Sequence, residues 1–238
     1  MQGTQLSAGY QALRQGQADA AIDRADEYLR ERSHGPGVAE AYYLKGRGYE
    51  LKTASNRDES KRNWVEARTA YAYGLNENPA PQLEASIRAG LSNVAFFMDD
   101  YPTAFAEASK AYSLTNSPET QSVLLYRMGV SQARMGRFTE ADDTFALVQQ
   151  RYPGSPMARR AQEHQGVRNF YLQLATYGTA EGADRAIESL KSSGLALSKR
   201  AEVGGHVVVN AGPFATYDAV KQVKQRLAGE FPDALVVP

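Results

Sequence analysis

His206-Val207-Val208-Val209-Asn210-Ala211-Gly212-Pro213-Phe214-Ala215-Thr216, running straight into residues 217–227, decides how the C-terminal part of this chain is read. Residues 206–210 are short and β-branched with polar residues only at the two ends, which suits a strand with one covered and one open face. Gly212 and Pro213 are expected to stop that strand. Thr216 stands where an N-cap belongs, and Ala219, Val220, Val223 and Leu227 follow at helical spacing along one stripe. The same pattern is written once upstream. Residues 170–175 alternate as a strand, Thr176-Tyr177-Gly178 turns, Thr179 is placed to cap, and Ala183, Ala186, Ile187 and Leu190 form the helical stripe. Tyr177 and Phe214 are 37 residues apart, and so are Thr179 and Thr216. With second strands at 195–200 and 234–237, two strand-helix-strand copies are complete. The expectation is a βαββαβ unit: a four-stranded antiparallel sheet with two helices on one face and the other face open.

Strand alternation then sorts the side chains. Phe170, Leu172, Leu174, Leu195, Leu197, Val207, Val209, Leu235 and Val237 fall under the helices, and Tyr171, Gln173, Ser198, Arg200, His206, Val208 and Asn210 fall on the open face. The order of elements, the Tyr-Leu-Gln-Leu-Ala-Thr-Tyr at 171–177 and the Ala-Gly-Pro-Phe at 211–214 resemble a SPOR domain, the sporulation-related module of bacterial envelope proteins. Gln173, Thr176, Gly212, Pro213 and Phe214 fall on that family's pattern. Where the family often carries arginines and a tyrosine before Gly-Pro-Phe, this chain has Val207, Val208 and Asn210. The resemblance implies binding of peptidoglycan, especially glycan strands denuded of their peptide stems, on the open face. Tyr171 is suited to stack on a sugar ring, while Gln173, Ser198, Arg200 and Asn210 suit hydroxyl and acetamido groups. The plainer account is that any antiparallel sheet needs a solvated polar face.

The rest of the chain reads differently. Residues 4–165 are rich in Ala, Leu, Tyr, Gln and Arg with periodic apolar positions, as helices joined by short turns. Ala21, Ala67, Ala104 and Ala141 occupy equivalent places, 46, 37 and 37 residues apart, each followed four residues later by Ala25, Tyr71, Ala108 and Phe145. A near-constant step of this size indicates a stack of helical hairpins. In the fourth copy, small Gly129 and Ala141 let two helices approach closely, Phe145 fills the space between them and the next pair, and Gly136 makes the turn. Leu125, Met128, Gly129, Gly136, Phe138, Ala141, Phe145 and Pro153 resemble the tetratricopeptide (TPR) pattern. Residues 53–63 are expected to form a polar inserted turn in the second copy, with Arg57-Asp58-Glu59-Ser60-Lys61-Arg62 as a solvated loop, and 155–165 a capping helix. The fold class expected is therefore α+β in two domains, a TPR-like α-solenoid over 4–167 and a SPOR-like domain over 168–238.

By repeat position, the first helices of the hairpins line a concave groove with Tyr43, Arg47, Asn93, Phe96 and Tyr126, suited to hold a protein partner. The competing account is that tyrosines in such stacks pack between hairpins. Lysine plus arginine equal aspartate plus glutamate at 27 each, so no cationic excess exists for phosphates and nucleic acid is disfavoured. No stretch approaches the roughly 20 apolar residues of a membrane span, and the first residues lack the regions of a signal peptide. A periplasmic or envelope location thus implies a signal or anchor outside this sequence. There is no cysteine, and His34, His164 and His206 have no catalytic or metal-ligand partner at a telling spacing, so no cofactor, metal or catalytic residue is expected. The function expected is a non-catalytic envelope adaptor joining peptidoglycan to a protein partner, in cell division or wall remodelling. A protein-only scaffold and a peptidoglycan hydrolase remain open alternatives.

Overall fold

The computed structural model describes residues 2–202 and 204–237. Two compact units divide the chain: Met1–Gln132 with Glu140–Glu163, and Ala133–Thr139 with His164–Pro238. Eleven α-helices and one four-stranded sheet lie among the described residues.

The first unit is built of antiparallel hairpins: α1 (Gln2–Arg14) with α2 (Ala18–Glu31), α3 (Val38–Leu51) with α4 (Arg57–Asn76), α5 (Pro81–Phe97) with α6 (Tyr101–Leu114), and α7 (Pro118–Arg134) with α8 (Phe138–Arg151). α9 (Pro156–His164) follows as the expected capping helix. Glycines set how closely the helices meet. The Tyr71 ring of α4 is wholly buried and lies against Gly46 of α3 and Gly90 of α5, and a Cβ at either position would fall inside it. At Gly129 a Cβ would come 2.6 Å from the Phe145 ring, so the aromatic predicted to face the next pair also packs within its own hairpin. The turn register repeats as well. Gly136 (φ 77°) and, 37 residues earlier, Asp99 (φ 61°) both take the left-handed conformation, which an aspartate tolerates better than most side chains.

One expectation is corrected here. Residues 57–62 are not a loop but the first turns of α4. The Asn56 side chain accepts from the Glu59 backbone N–H at 2.9 Å, and Glu59 reaches back to the Ser55 N–H at 2.7 Å. Asp58 and Glu59 also sit in the first turn, where the helix dipole favours negative charge. This local cap outweighs the polarity of the segment, and the turn shortens to residues 52–56.

In the second unit the order is β1 (Phe170–Tyr177), α10 (Ala180–Ser189), β2 (Leu197–Ala201), β3 (Val207–Phe214), α11 (Tyr217–Arg226) and β4 (Leu235–Val237), with strand order β2-β3-β1-β4 and every pairing antiparallel. Thr179 and Thr216 cap the two helices as expected, each accepting a backbone N–H at 3.2 Å. Phe170, Leu172, Leu174, Val207, Val209 and Ala211 pack with Ala183, Leu190, Val220 and Leu227 in one core.

The strands differ from expectation in three ways. β3 does not stop at Gly212: Phe170 pairs with Phe214 while Leu172 pairs with Ala211, so β3 carries an extra residue there, a bulge that Gly212 (φ 131°) accommodates. A second bulge at Leu174 and Ala175 of β1 lets the strand run on to Tyr177 instead of turning at Thr176, and it brings Thr176 opposite Val208. β4 has the opposite facing to that predicted. Val236 pairs with Leu172 and packs on the core, whereas Leu235 pairs with Gln173 and is 57% exposed. The partner strand fixes this parity, because Leu-Val-Val shows no alternation of its own.

Candidate functional site

The sheet face opposite α10 and α11 is organised in rows across the strands. One row reads Ser198, Asn210, Gln173, Leu235 from β2 to β4, since Ser198 pairs with Asn210, Asn210 with Gln173 and Gln173 with Leu235. A second reads Arg200, Val208, Thr176, and a third brings Tyr171 beside Val237. Ser198, Arg200, Thr176 and Leu235 are exposed, and Tyr171, Gln173 and Asn210 are half-buried. Val208 belongs to this face by register, but its side chain is completely covered and so underlies the platform instead of presenting a contact. His206 lies exposed just ahead of β3, where its carbonyl accepts from the Glu202 N–H at 2.8 Å and closes the β2–β3 turn.

Charge is unevenly divided between the two faces. Lys199 turns to the helix side and pairs with Asp184 of α10 at 2.5 Å. Arg200, on the open side, meets Glu202 at 3.1 Å with both partners solvated, a pair that contributes little and is easily exchanged for a ligand. The Tyr171 ring lies over Gly212, where an added Cβ would stand 3.0 Å from Cδ1. Asn210 Oδ1 is shielded from solvent and has no hydrogen-bond partner among the described residues. β4 covers the β1 edge only from Tyr171 to Gln173, and beyond it Gln173 and Thr176 border a cleft of about 500 Å³ with Glu230, Phe231 and Asp233.

In the helical unit, three of the five groove residues meet. Tyr43 and Arg47 of α3 and Asn93 of α5 line a depression of about 460 Å³, joined there by Glu50 of α3 and Glu119 and Arg127 of α7. Phe96 and Tyr126 do not line it. Phe96 packs edge-on to Tyr101 at 5.4 Å, and Tyr126 lies 6.0 Å from Phe145. Glu50 and Arg127 went unnoticed in the sequence. Glu50 follows Arg47 by three positions and therefore shares its helix face, a signal that was available.

Glu50 is the hub of the groove. With its side chain only 5% exposed, it pairs with Arg47 at 2.8 Å, accepts from the Tyr71 hydroxyl at 2.7 Å and accepts from Asn93 Nδ2. Asn93 Oδ1 in turn accepts from Arg127, whose guanidinium also lies 5.5 Å over the Phe96 ring. Burial opposes charge on Arg47, but Glu50 beside it prevails and raises its pKa above the ordinary arginine value. Burial lowers the pKa of Arg127, only partly opposed by the more distant Glu50. Burial also pushes Tyr43 up, and pushes Tyr71 well up with the help of Glu50. The groove thus holds two guanidinium groups around one buried carboxylate. Among the described residues, no three His, Asp or Glu side chains gather so as to hold a metal ion, and no helix is long and apolar enough to cross a membrane.

The SPOR domain family model matches residues 166–238. The C-terminal unit carries a SPOR domain. A tetratricopeptide repeat model matches residues 124–155, the α7–α8 hairpin. The MamA protein structure is similar over 83% of this chain and 100% of its own, with 18% identity and a TM-score of 0.52, a likeness of fold alone. A thermophilic TPR protein of Thermus thermophilus matches 69% of this chain and 98% of its own at 18% identity and a TM-score of 0.43. No curated protein matches the chain in sequence. SPOR domains bind peptidoglycan and TPR repeats bind proteins, so the two together support a cell-envelope adaptor role built from binding modules rather than catalytic ones.

Proposed function

We propose that residues 168–238 bind denuded peptidoglycan glycan strands on the open SPOR face, while residues 4–167 hold a protein partner in the groove, at sites of cell division or wall remodelling in the periplasm. The observation that carries the reading is the row Ser198, Asn210, Gln173 on the face away from the helices, in which Asn210 Oδ1 has no hydrogen-bond partner among the described residues. Tyr171 offers a ring for a sugar and Arg200 a cation for a lactyl carboxylate. A flat face cannot enclose its ligand, so single sites are weak and strength comes from repeated sites on the polymer. In the groove, Arg47, Arg127, Glu50 and Glu119 present charges of both signs to a partner segment.

The test is co-sedimentation of the whole chain with purified sacculi. Pelleting well above a control protein, reduced in a Gln173→Ala, Arg200→Ala double variant, is the expected result. No pelleting above the control removes the glycan reading and leaves a protein-only scaffold.

A further inference from the structure

The groove of the helical unit does not end at α7. Glu119 and Val123, one helical turn apart on that helix, line both the depression that holds Arg47 and Asn93 and a second hollow of about 640 Å³. The second hollow is walled by Pro118 and Val123 of α7 and by Tyr152, Pro153, Pro156 and Met157 where α8 passes into α9. Val123 is 40% exposed, an apolar side chain left uncovered on the shared wall.

The polar side chains of this hollow are already engaged. The Tyr152 hydroxyl donates to Gln121 Oε1 and lies beside the Tyr112 hydroxyl, each at 3.1 Å, and Arg151 donates to that same Tyr112 oxygen at 2.8 Å. The Ser122 hydroxyl donates to the Glu119 carbonyl at 2.7 Å, and Ser155 Oγ accepts from the Ala158 N–H at 3.0 Å. Three prolines add rigid rings and no N–H. What is left for a ligand is apolar surface of fixed shape, which suits a large aliphatic or aromatic side chain and gives a polar one no partner. The exception is the Glu119 carboxylate at the rim, exposed and in no ion pair among the described residues.

Resting on the partner-groove reading above, we propose that this hollow is the apolar subsite of the groove, and that the partner is an extended segment carrying a large apolar side chain with a lysine or arginine within about two residues of it. The apolar side chain is seated among Tyr152, Pro153 and Met157, and the cation pairs with Glu119. The spacing follows from the shared wall: side chains one helical turn apart lie about 5–6 Å from each other, and an extended chain covers that distance in about two residues.

The probe is a phage-displayed library of random dodecapeptides selected on the whole chain, with the affinities of recovered peptides measured by fluorescence anisotropy at low and at physiological salt. Recovered sequences should share the apolar and basic pair, and alanine in place of the apolar residue should weaken binding about tenfold or more. On the protein, Met157→Gln and Val123→Gln should each weaken it by roughly three- to tenfold. Glu119→Gln should weaken it about two- to fivefold at low salt and remove most of its salt dependence. Val123 and Glu119 are exposed, so the urea midpoint followed by tryptophan fluorescence should stay unchanged in those two variants. Peptides that bind all three variants as tightly as the unchanged chain, or that share no apolar residue, overturn the subsite and leave the groove reading standing. A concentration-dependent dimer in sedimentation velocity that Met157→Gln dissolves would put a second copy in the hollow and overturn it as well. Recovery of no binding peptide removes the groove reading and the subsite together.

Discussion

Replacing Glu50 by alanine is expected to destabilise the helical unit by about 3–5 kcal/mol, the usual cost of breaking a buried charged pair from one side. The carboxylate is almost wholly buried and serves three donors, Arg47, Tyr71 and Asn93. Its loss leaves the Tyr71 hydroxyl without an acceptor inside a fully buried side chain, by itself about 1–3 kcal/mol. It also leaves the Arg47 guanidinium without the carboxylate it pairs with. These costs share the same groups and do not add. Glu50→Gln keeps the shape and one acceptor oxygen for Arg47 and Asn93, gives up the charge, and turns its NH2 to the Tyr71 hydroxyl, which can accept in place of donating, so about 1–2 kcal/mol is expected. The chain's single tryptophan makes the measurement specific: Trp64 lies in α4 and stacks on Phe97 at 5.5 Å, so its fluorescence reports this unit alone. That matters because a chain of two units need not unfold in one step. With a urea m-value of about 2 kcal/mol/M, the midpoint should fall by about 1.5–2.5 M for Glu50→Ala and about 0.5–1 M for Glu50→Gln. A fall of under about 0.5 M for alanine would mean that water already serves these donors, and the hub role assigned to Glu50 would be wrong.

Tyr71 gives a pH dependence. Burial, then the Glu50 charge, raises its pKa well above 10, so the folded state keeps a proton that the unfolded chain releases. Its contribution to stability is complete below about pH 10 and is lost as pH rises further, so the Trp64-reported urea midpoint should drop above that pH, and less steeply in Tyr71→Phe. At Gly212 a Cβ meets the Tyr171 ring at 3.0 Å and the Phe170 carbonyl at 3.1 Å in a left-handed backbone, so Gly212→Ala should cost about 1–3 kcal/mol and weaken sacculus pelleting by lifting Tyr171; unchanged pelleting with a lowered midpoint in near-ultraviolet circular dichroism would separate the two effects. Thr216→Ala removes the N-cap of α11 and should lower protection of its first-turn amides in hydrogen exchange by about 1 kcal/mol, leaving Trp64-reported stability of the helical unit unchanged.

Much of the architecture was legible because its signals are local. Thr179 and Thr216 announce their helices from adjacent residues, and Ala67, Ala104 and Ala141 mark hairpins at a fixed step whatever the rest of the chain does. Where the reading went astray, a distant partner or a stronger local rule decided. The cap formed by Asn56 and Glu59 made helix of a charged run that composition alone reads as loop. The facing of β4 was invisible, since Leu235, Val236 and Val237 are equally apolar and only the pairing with Gln173, Leu172 and Tyr171 tells them apart. Likewise Glu50, Asn93 and Arg127 come from three different hairpins, and nothing short of the packed stack brings them together.

The same distinction governs the sheet face. Alternation assigns a side chain to a face, which is a property of one strand; whether that side chain can be touched depends on the strands beside it. Val208 and Asn210 are two residues apart on the same side of β3, yet Val208, between Arg200 and Thr176, is wholly covered, while Asn210, between Ser198 and Gln173, keeps a shielded and unpaired carbonyl. Covered apolar surface beneath Val208 stiffens the platform without offering it a ligand contact. The unpaired Asn210 acceptor does the reverse, since its desolvation goes uncompensated in the free protein. Asn63 Nδ2 and Ser131 Oγ of the helical unit are shielded and unpaired in the same way, so the Asn210 carbonyl supports the proposed ligand face only together with the row of polar side chains it stands in.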